Sequence, residues 1–279
     1  MPYMTALLHP RRRTFAGRAH ATLLVAAMAL VLVASAQILA GTPGVVIAAG
    51  SLAAGLWWLP RASPTALLRL FRAVRVGPQH LAEVHAELAS LAGRAGLPRT
   101  PSLWVIHAPG VTAFSVGAPE DSGVGVSHRV LHKLSRREIA GILAHEVSHI
   151  AGGDMTLLAL GQVIGQLTRA ITTFGLGLSL LLLLAGQIAL TPAEVFVLAL
   201  APMGVTLIQL ALSRNREFDA DQAAVLLTGD PVGLASALVR IEQDQRSLIG
   251  RMFGLARREV PELLRTHPRT VDRAARLLG

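Results

Sequence analysis

The sequence predicts a mainly α-helical membrane protein, with four transmembrane helices in two hairpins and a polar α+β domain assembled from two separated segments. Three observations predict it. Of 279 residues, 52% are hydrophobic and only 15% charged, whereas soluble domains carry about 25% charged residues. The uncharged residues gather into two long tracts, each broken once by a turn sequence. Arginines bracket those tracts, as they flank membrane spans. The same composition, with a mean hydropathy of +0.52, excludes disorder, collagen and a solvated coiled coil. Cysteine is absent, so disulfides and thiol chemistry are excluded and any metal must sit on His, Asp or Glu.

The first hairpin is assigned to residues 1–60. From Ala19 to Pro60 the only ionisable side chain is His20. Ala21–Ala40 gives about 30 Å of helix, enough to cross a bilayer. Gly41-Thr42-Pro43-Gly44 reads as a tight turn, and Val45–Leu59 returns with Trp57 and Trp58 where interfacial aromatics sit. Arg12-Arg13-Thr14-Phe15 resembles a twin-arginine signal and Ala34-Ser35-Ala36 a signal-peptidase site. The apolar run continues past Ala36 into a second apolar helix, which favours retention as an anchor over cleavage.

The second hairpin, residues 157–213, comprises the uncharged stretch Ala170–Ala193, a turn at Thr191-Pro192-Ala193-Glu194 and the apolar run Val195–Leu212. Pro202 kinks a membrane helix without breaking it. Gly161 and Gly165 form a small-xxx-small pair ahead of the hairpin. Arg11, Arg12, Arg13 and Arg18 precede the first span, Arg61, Arg69, Arg72 and Arg75 follow the second, and Arg214 and Arg216 follow the fourth; the hairpin tips carry no base. The expectation is a multi-pass protein of the cell (inner) membrane, with termini and middle segment cytoplasmic. A net charge of +9 invites a nucleic-acid reading, but the surplus is concentrated before residue 83 and aromatics are only 4%, too few for base-stacking platforms.

Two polar segments remain, 61–156 and 214–279. Leu81, Val84, Leu88 and Leu91 recur at helical spacing, closed by Gly93 and Pro98. Ser102–His107, Val111–Val116 and Gly123–Val126 read as strands. Ser135-Arg136-Arg137-Glu138 is a capping box opening a helix through about Ile150. Residues 214–279 read as helices, with turns at Gly229-Asp230-Pro231 and His267-Pro268.

Inside the capped helix lies His145-Glu146-Val147-Ser148-His149. Residues four apart share a helix face, so both imidazoles reach one ion with Glu146 beside them. Neutral imidazole suits Zn2+, which lowers the pKa of water, and the adjacent glutamate takes the proton during attack on a carbonyl. A tetrahedral site needs a third protein ligand. Glu217 and Asp221, four apart where the fourth span ends, supply a candidate ligand and a hydrogen-bond acceptor for a ligand imidazole. His128 and His132 are also four apart but have no glutamate between them, and they read as surface.

These motifs resemble the HtpX-type membrane zinc endopeptidases, relatives of the CaaX prenyl proteases. The match is HExxH with Asp154 nine residues beyond its first His, an apolar hairpin, Ser213–Asp221, and Thr266-His267-Pro268 with Arg273 beyond. The resemblance implies a zincin-like catalytic domain, one Zn2+ per chain on His145, His149 and Glu217, and polypeptide substrates, foremost membrane proteins in quality control or processing. It places His267 and Arg273 near the oxyanion. It likens Thr112-Ala113-Phe114 to an edge strand that aligns substrate, with Thr112 where the family commonly has Asn. Two alternatives are an intramembrane HExxH protease and a non-catalytic metal-binding scaffold. The polar flanks Ser135-Arg136-Arg137-Glu138 and Asp154 argue against the first, and the lack of a fourth matching ligand argues against the second.

Overall fold

The computed structural model describes residues 10–58, 61, 63–153, 155–187, 190–253 and 270–278. In chain order the elements are α1 (Pro10–Trp58), α2 (Pro64–Leu70), β1 (Val74–Arg75), α3 (Ala82–Arg94), β2 (Ser102–Ile106), β3 (Ala113–Ala118), β4 (Asp121–Ser127), α4 (His128–Lys133), α5 (Arg136–Gly152), α6 (Met155–Leu184), α7 (Pro192–Thr228), α8 (Pro231–Phe253) and α9 (Thr270–Leu278). They form two compact units, Met1–Arg61 with Thr156–Leu212, and Ala62–Met155 with Ser213–Gly279.

Among the described residues three helices are long and apolar enough to cross a membrane: Ala19–Trp58, Leu157–Leu184 and Pro192–Thr228, the last of which continues past the first unit at Leu212. The turn expected at Gly41-Thr42-Pro43-Gly44 is a break within α1, where only Gly41 leaves helical geometry (φ 59°, ψ −146°). Pro43 falls in the first turn after that break, where its missing N–H leaves no bond unmade. Gly44 lies so close to the Ala36 carbonyl that a Cβ would collide, so the chain after Gly41 returns over the residues before it. Val25, Met28, Leu32 and Ala36, three or four apart on one face, are buried against Leu160 and Ile164 of α6 and Val205 and Leu212 of α7. Gly165 admits Gln209, whose amide donates to the Gly161 carbonyl at 2.9 Å. Leu30, Phe174, Leu181 and Leu184 remain exposed, as suits acyl chains and would be costly in water.

The second unit is built on a four-stranded sheet, order β1-β2-β4-β3, with β2 and β4 parallel and the other pairs antiparallel. Strand alternation sorts its two faces. Leu103, Val105, Val124 and Val126 join Leu88 of α3, Leu143 and Val147 of α5 and Leu234 of α8 in the main core. Trp104, Ile106 and Phe114 face Leu68 of α2 on the other side. A Cβ at Gly123 would meet the Leu68 side chain at 2.6 Å, so Leu68 could not keep its place. Val111–Val116 was expected as a strand, but β3 begins at Ala113. The Val111 N–H donates to the Asp244 carboxylate (2.8 Å) and the Thr112 N–H to Ser127 Oγ (3.1 Å), so neither is available to a ladder. β3 lies at the sheet edge.

Candidate metal centre

The helix carrying the HExxH pattern is fixed at both ends and in the middle. The Ser135 hydroxyl accepts from the Glu138 N–H while Glu138 accepts from the Ser135 N–H, completing the capping box. Gly153 closes the helix with a left-handed φ of 67°. Midway, Gly141 lies against Leu234 of α8, and a Cβ would stand 3.0 Å from the Leu234 Cα. Apolar residues then bury the following turn, including His145 and Glu146.

His145 and His149 bring their Nε2 atoms within 3.1 Å of each other. Glu217, from α7, places Oε2 3.4 Å from His145 Nε2 and Oε1 3.9 Å from His149 Nε2. Tetrahedral zinc with bonds of 2.0–2.1 Å separates its ligand atoms by about 3.4 Å, so the three residues fit that ion. Their donor set, two imidazoles and a carboxylate, suits it chemically as well. Asp221, one helical turn beyond Glu217, lies 3.0 Å from His145 Nδ1. That contact places the proton of a neutral imidazole on Nδ1 and leaves Nε2 free to ligate. Burial opposes a charge on His145, but Asp221 and Glu217 outweigh it and push its pKa up to about 9. Burial, reinforced by the neighbouring His145, pushes His149 down to about 3. The pocket thus favours one positive charge among its carboxylates.

Arg273 of α9 grips the same carboxylates. Its Nε and Nη2 donate to Asp221 at 2.7 and 2.6 Å, and its Nη1 lies 2.8 Å from Glu217. Arg276 of α9 stacks on the Phe218 ring at 3.8 Å, seating α9 on α7. Glu146 faces β3, where Ser115 Oγ donates to its Oε2 at 2.8 Å. Ser115 was not singled out from sequence. It lies 31 residues from Glu146, and nothing in a lone serine beside Phe114 signals the contact.

The structure therefore brings together His145, Glu146, His149, Glu217, Asp221 and Arg273. Ala113 and Phe114 lie in the edge strand β3 and Thr112 just before it. His267 and Asp154 lie outside the described residues. His128 and His132 are both exposed, with their Nε2 atoms 3.2 Å apart.

A model of peptidase family M48 matches residues 78–279. The protease HtpX homologue of Acaryochloris marina is 33% identical over 277 residues, covering 92% of each chain. That of Ralstonia nicotianae is 32% identical over 232 residues, covering 76% of this chain and 78% of its own. Protease HtpX of Legionella pneumophila is 29% identical over 274 residues, covering 91% of this chain and 96% of its own. Among solved structures, the crystal structure of S. mikatae Ste24p aligns with a TM-score of 0.49 at 18% identity. It covers 92% of this chain, which spans 63% of that longer one.

Proposed function

The chain belongs to peptidase family M48 and is a membrane metalloendopeptidase; on that premise we propose that His145, His149 and Glu217 hold one zinc ion and that Glu146 is the general base of peptide-bond hydrolysis. The observation that carries this reading is the convergence of the three ligand atoms at the spacing of a tetrahedral ion, beside a buried glutamate.

Zinc bound there supplies a Lewis acid that polarises the scissile carbonyl and makes water acidic at neutral pH. Glu146 takes the proton from the attacking water and returns it to the leaving amine. The Ser115 hydroxyl holds the Glu146 carboxylate toward β3. Asp221 orients His145, and Arg273 balances the charge of Asp221 and Glu217. The open edge of β3 is suited to a substrate laid down as an added strand, Thr112, Ala113 and Phe114 setting its register. His267 is proposed to stabilise the oxyanion, with Arg273 nearby.

The substrates proposed are membrane proteins, in quality control or processing. Maturation of a prenylated or secreted peptide uses the same chemistry. The topology proposed is four spans, the first two divided at Gly41, in the cell (inner) membrane with termini and active site cytoplasmic. The domains proposed are 1–60 and 157–213 as membrane hairpins, with 61–156 and 214–279 jointly forming the catalytic domain.

The test is Glu146→Gln, which keeps shape but cannot accept the proton. It should retain zinc and membrane insertion, while cleavage falls by about 10²–10⁴-fold, the range of a lost general acid–base group. Wild-type cleavage by this variant would overturn the mechanism.

A further inference from the structure

The second unit carries an apolar and basic patch that the proposed chemistry does not use. Leu70, Phe71 and Val74 are 78%, 59% and 57% exposed. Arg69, Arg72 and Arg75 are exposed among them. None of the three arginines forms an ion pair among the described residues, and no acidic residue precedes Glu83 in the chain. The patch is also held in shape at a cost. Arg72 is the one non-glycine residue with a positive φ among the described residues (55°). It sits at the end of α2, where Ala73 N–H bonds back to the Leu68 carbonyl and glycine is the ordinary occupant. A turn that tolerates an arginine there keeps a cation beside Phe71.

We propose that this patch, Leu70, Phe71 and Val74 with Arg69, Arg72 and Arg75, docks on an anionic lipid surface. Three lines favour lipid over a protein partner. The pattern of apolar side chains interleaved with arginines and no acid suits a bilayer interface, where the apolar groups enter the acyl boundary and guanidinium groups meet phosphate. The patch follows shortly after Trp57 and Trp58, the end of the first candidate span, where Arg61 stacks on the Trp57 ring at 4.9 Å. The bilayer is thus within reach of this segment by chain continuity. Phe71 also contacts Phe114 of β3 edge-to-face, ring centroids 5.2 Å apart. A docked patch therefore holds the proposed substrate strand beside the surface from which a membrane-protein substrate emerges. The inference rests on the reading of the chain as membrane-embedded.

The absence of cysteine makes the test direct. Full-length protein carrying E146Q is given one cysteine at a time, Leu70→Cys, Val74→Cys, Leu30→Cys in the first candidate span, or Gln243→Cys on α8. Each is labelled with an environment-sensitive fluorophore and reconstituted in vesicles of phosphatidylglycerol and phosphatidylcholine containing lipids spin-labelled near the headgroup and at mid-chain, the former read at 70, 74 and 243 and the latter at 30. Labels at 70 and 74 should be blue-shifted and quenched, like that at 30, while the label at 243 stays exposed. The triple change R69A/R72A/R75A should bring the signals at 70 and 74 down to their level in pure phosphatidylcholine, with zinc content unchanged as a sign of intact folding. If position 30 is quenched but 70 and 74 match 243, lipid docking is wrong and the membrane reading stands. If position 30 is also unquenched, the membrane reading itself fails. Signals at 70 and 74 that depend on protein density rather than on lipid charge would assign the patch to a second copy of the chain and overturn the proposal.

Discussion

The two nitrogens of His145 face different partners: Nδ1 meets Asp221 at 3.0 Å, and Nε2 faces His149 and Glu217. Asp221 thereby sets which nitrogen is left to ligate, and its other contacts, to Arg273, set where the carboxylate stands. Asp221→Asn keeps an oxygen for the Nδ1 proton but loses the charge and one acceptor of the Arg273 fork. Zinc affinity should fall by about 10–100-fold, as for other partners of ligand imidazoles, measured by competition with a chromogenic chelator. Unchanged affinity would remove Asp221 from the centre. Glu217→Ala, which deletes a ligand, should abolish tight zinc binding altogether, read as metal content of the purified protein. That His145 lies beside His149, and Glu217 beside Asp221, was legible in the sequence, because a helix converts four-residue spacing into proximity; spacing alone does not bring the two pairs together. Ser115 was not, because its contact with Glu146 depends on sheet register and on the packing of α5 against β3.

At the scale of elements, Asp244 of α8 ties α4 and the segment before β3 to its own helix. It accepts from the Val111 N–H that precedes β3, from Arg129 of α4 at 2.8 Å and from Lys133. From sequence, an acid on an amphipathic helix reads as a solvated residue, and nothing marks it as buried. Burial opposes its charge, but Lys133, Val111 N–H and Arg129 hold its pKa down to about 2. A folded pKa below the ordinary carboxylate value means that this contribution to stability is complete above about pH 4 and is lost as pH falls toward 2. Asp244→Ala leaves the buried Val111 N–H without its acceptor and should cost about 1–3 kcal/mol. The gap in melting temperature between wild type and variant should be constant from neutral pH to about 4 and narrow below it. A gap that stays constant through that window would show that Asp244 is not the group responsible. The elements best anticipated were those with local signals, such as the Ser135 capping box. The short pieces α2, β1 and α4 were not anticipated, since their residues fall into place only through contacts with the sheet.

For the whole molecule, the apolar tracts were legible in the sequence, and the break between the first two was legible as a composition rather than as one residue. Gly41-Thr42-Pro43-Gly44 reads as a turn by composition, but the backbone needs only Gly41 to leave helical geometry. The proposed topology makes a direct prediction. Reporter fusions at Thr42 and at Gly279 should report opposite sides of the membrane, outside and cytoplasmic respectively. Outside signals from both would favour a cleaved N-terminal signal, and cytoplasmic signals from both would exclude the first hairpin.

The distance in the chain between His149 and Glu217, filled by α6 and most of α7, also orders events during synthesis. A ribosome delivers the two histidines and Glu146 first, then an apolar stretch, and only afterwards Glu217 and finally Arg273. A nascent chain therefore lacks part of this cluster until α9 has emerged. A chain that stalls or is truncated before α9 is left without the arginine that pairs with Asp221 and Glu217.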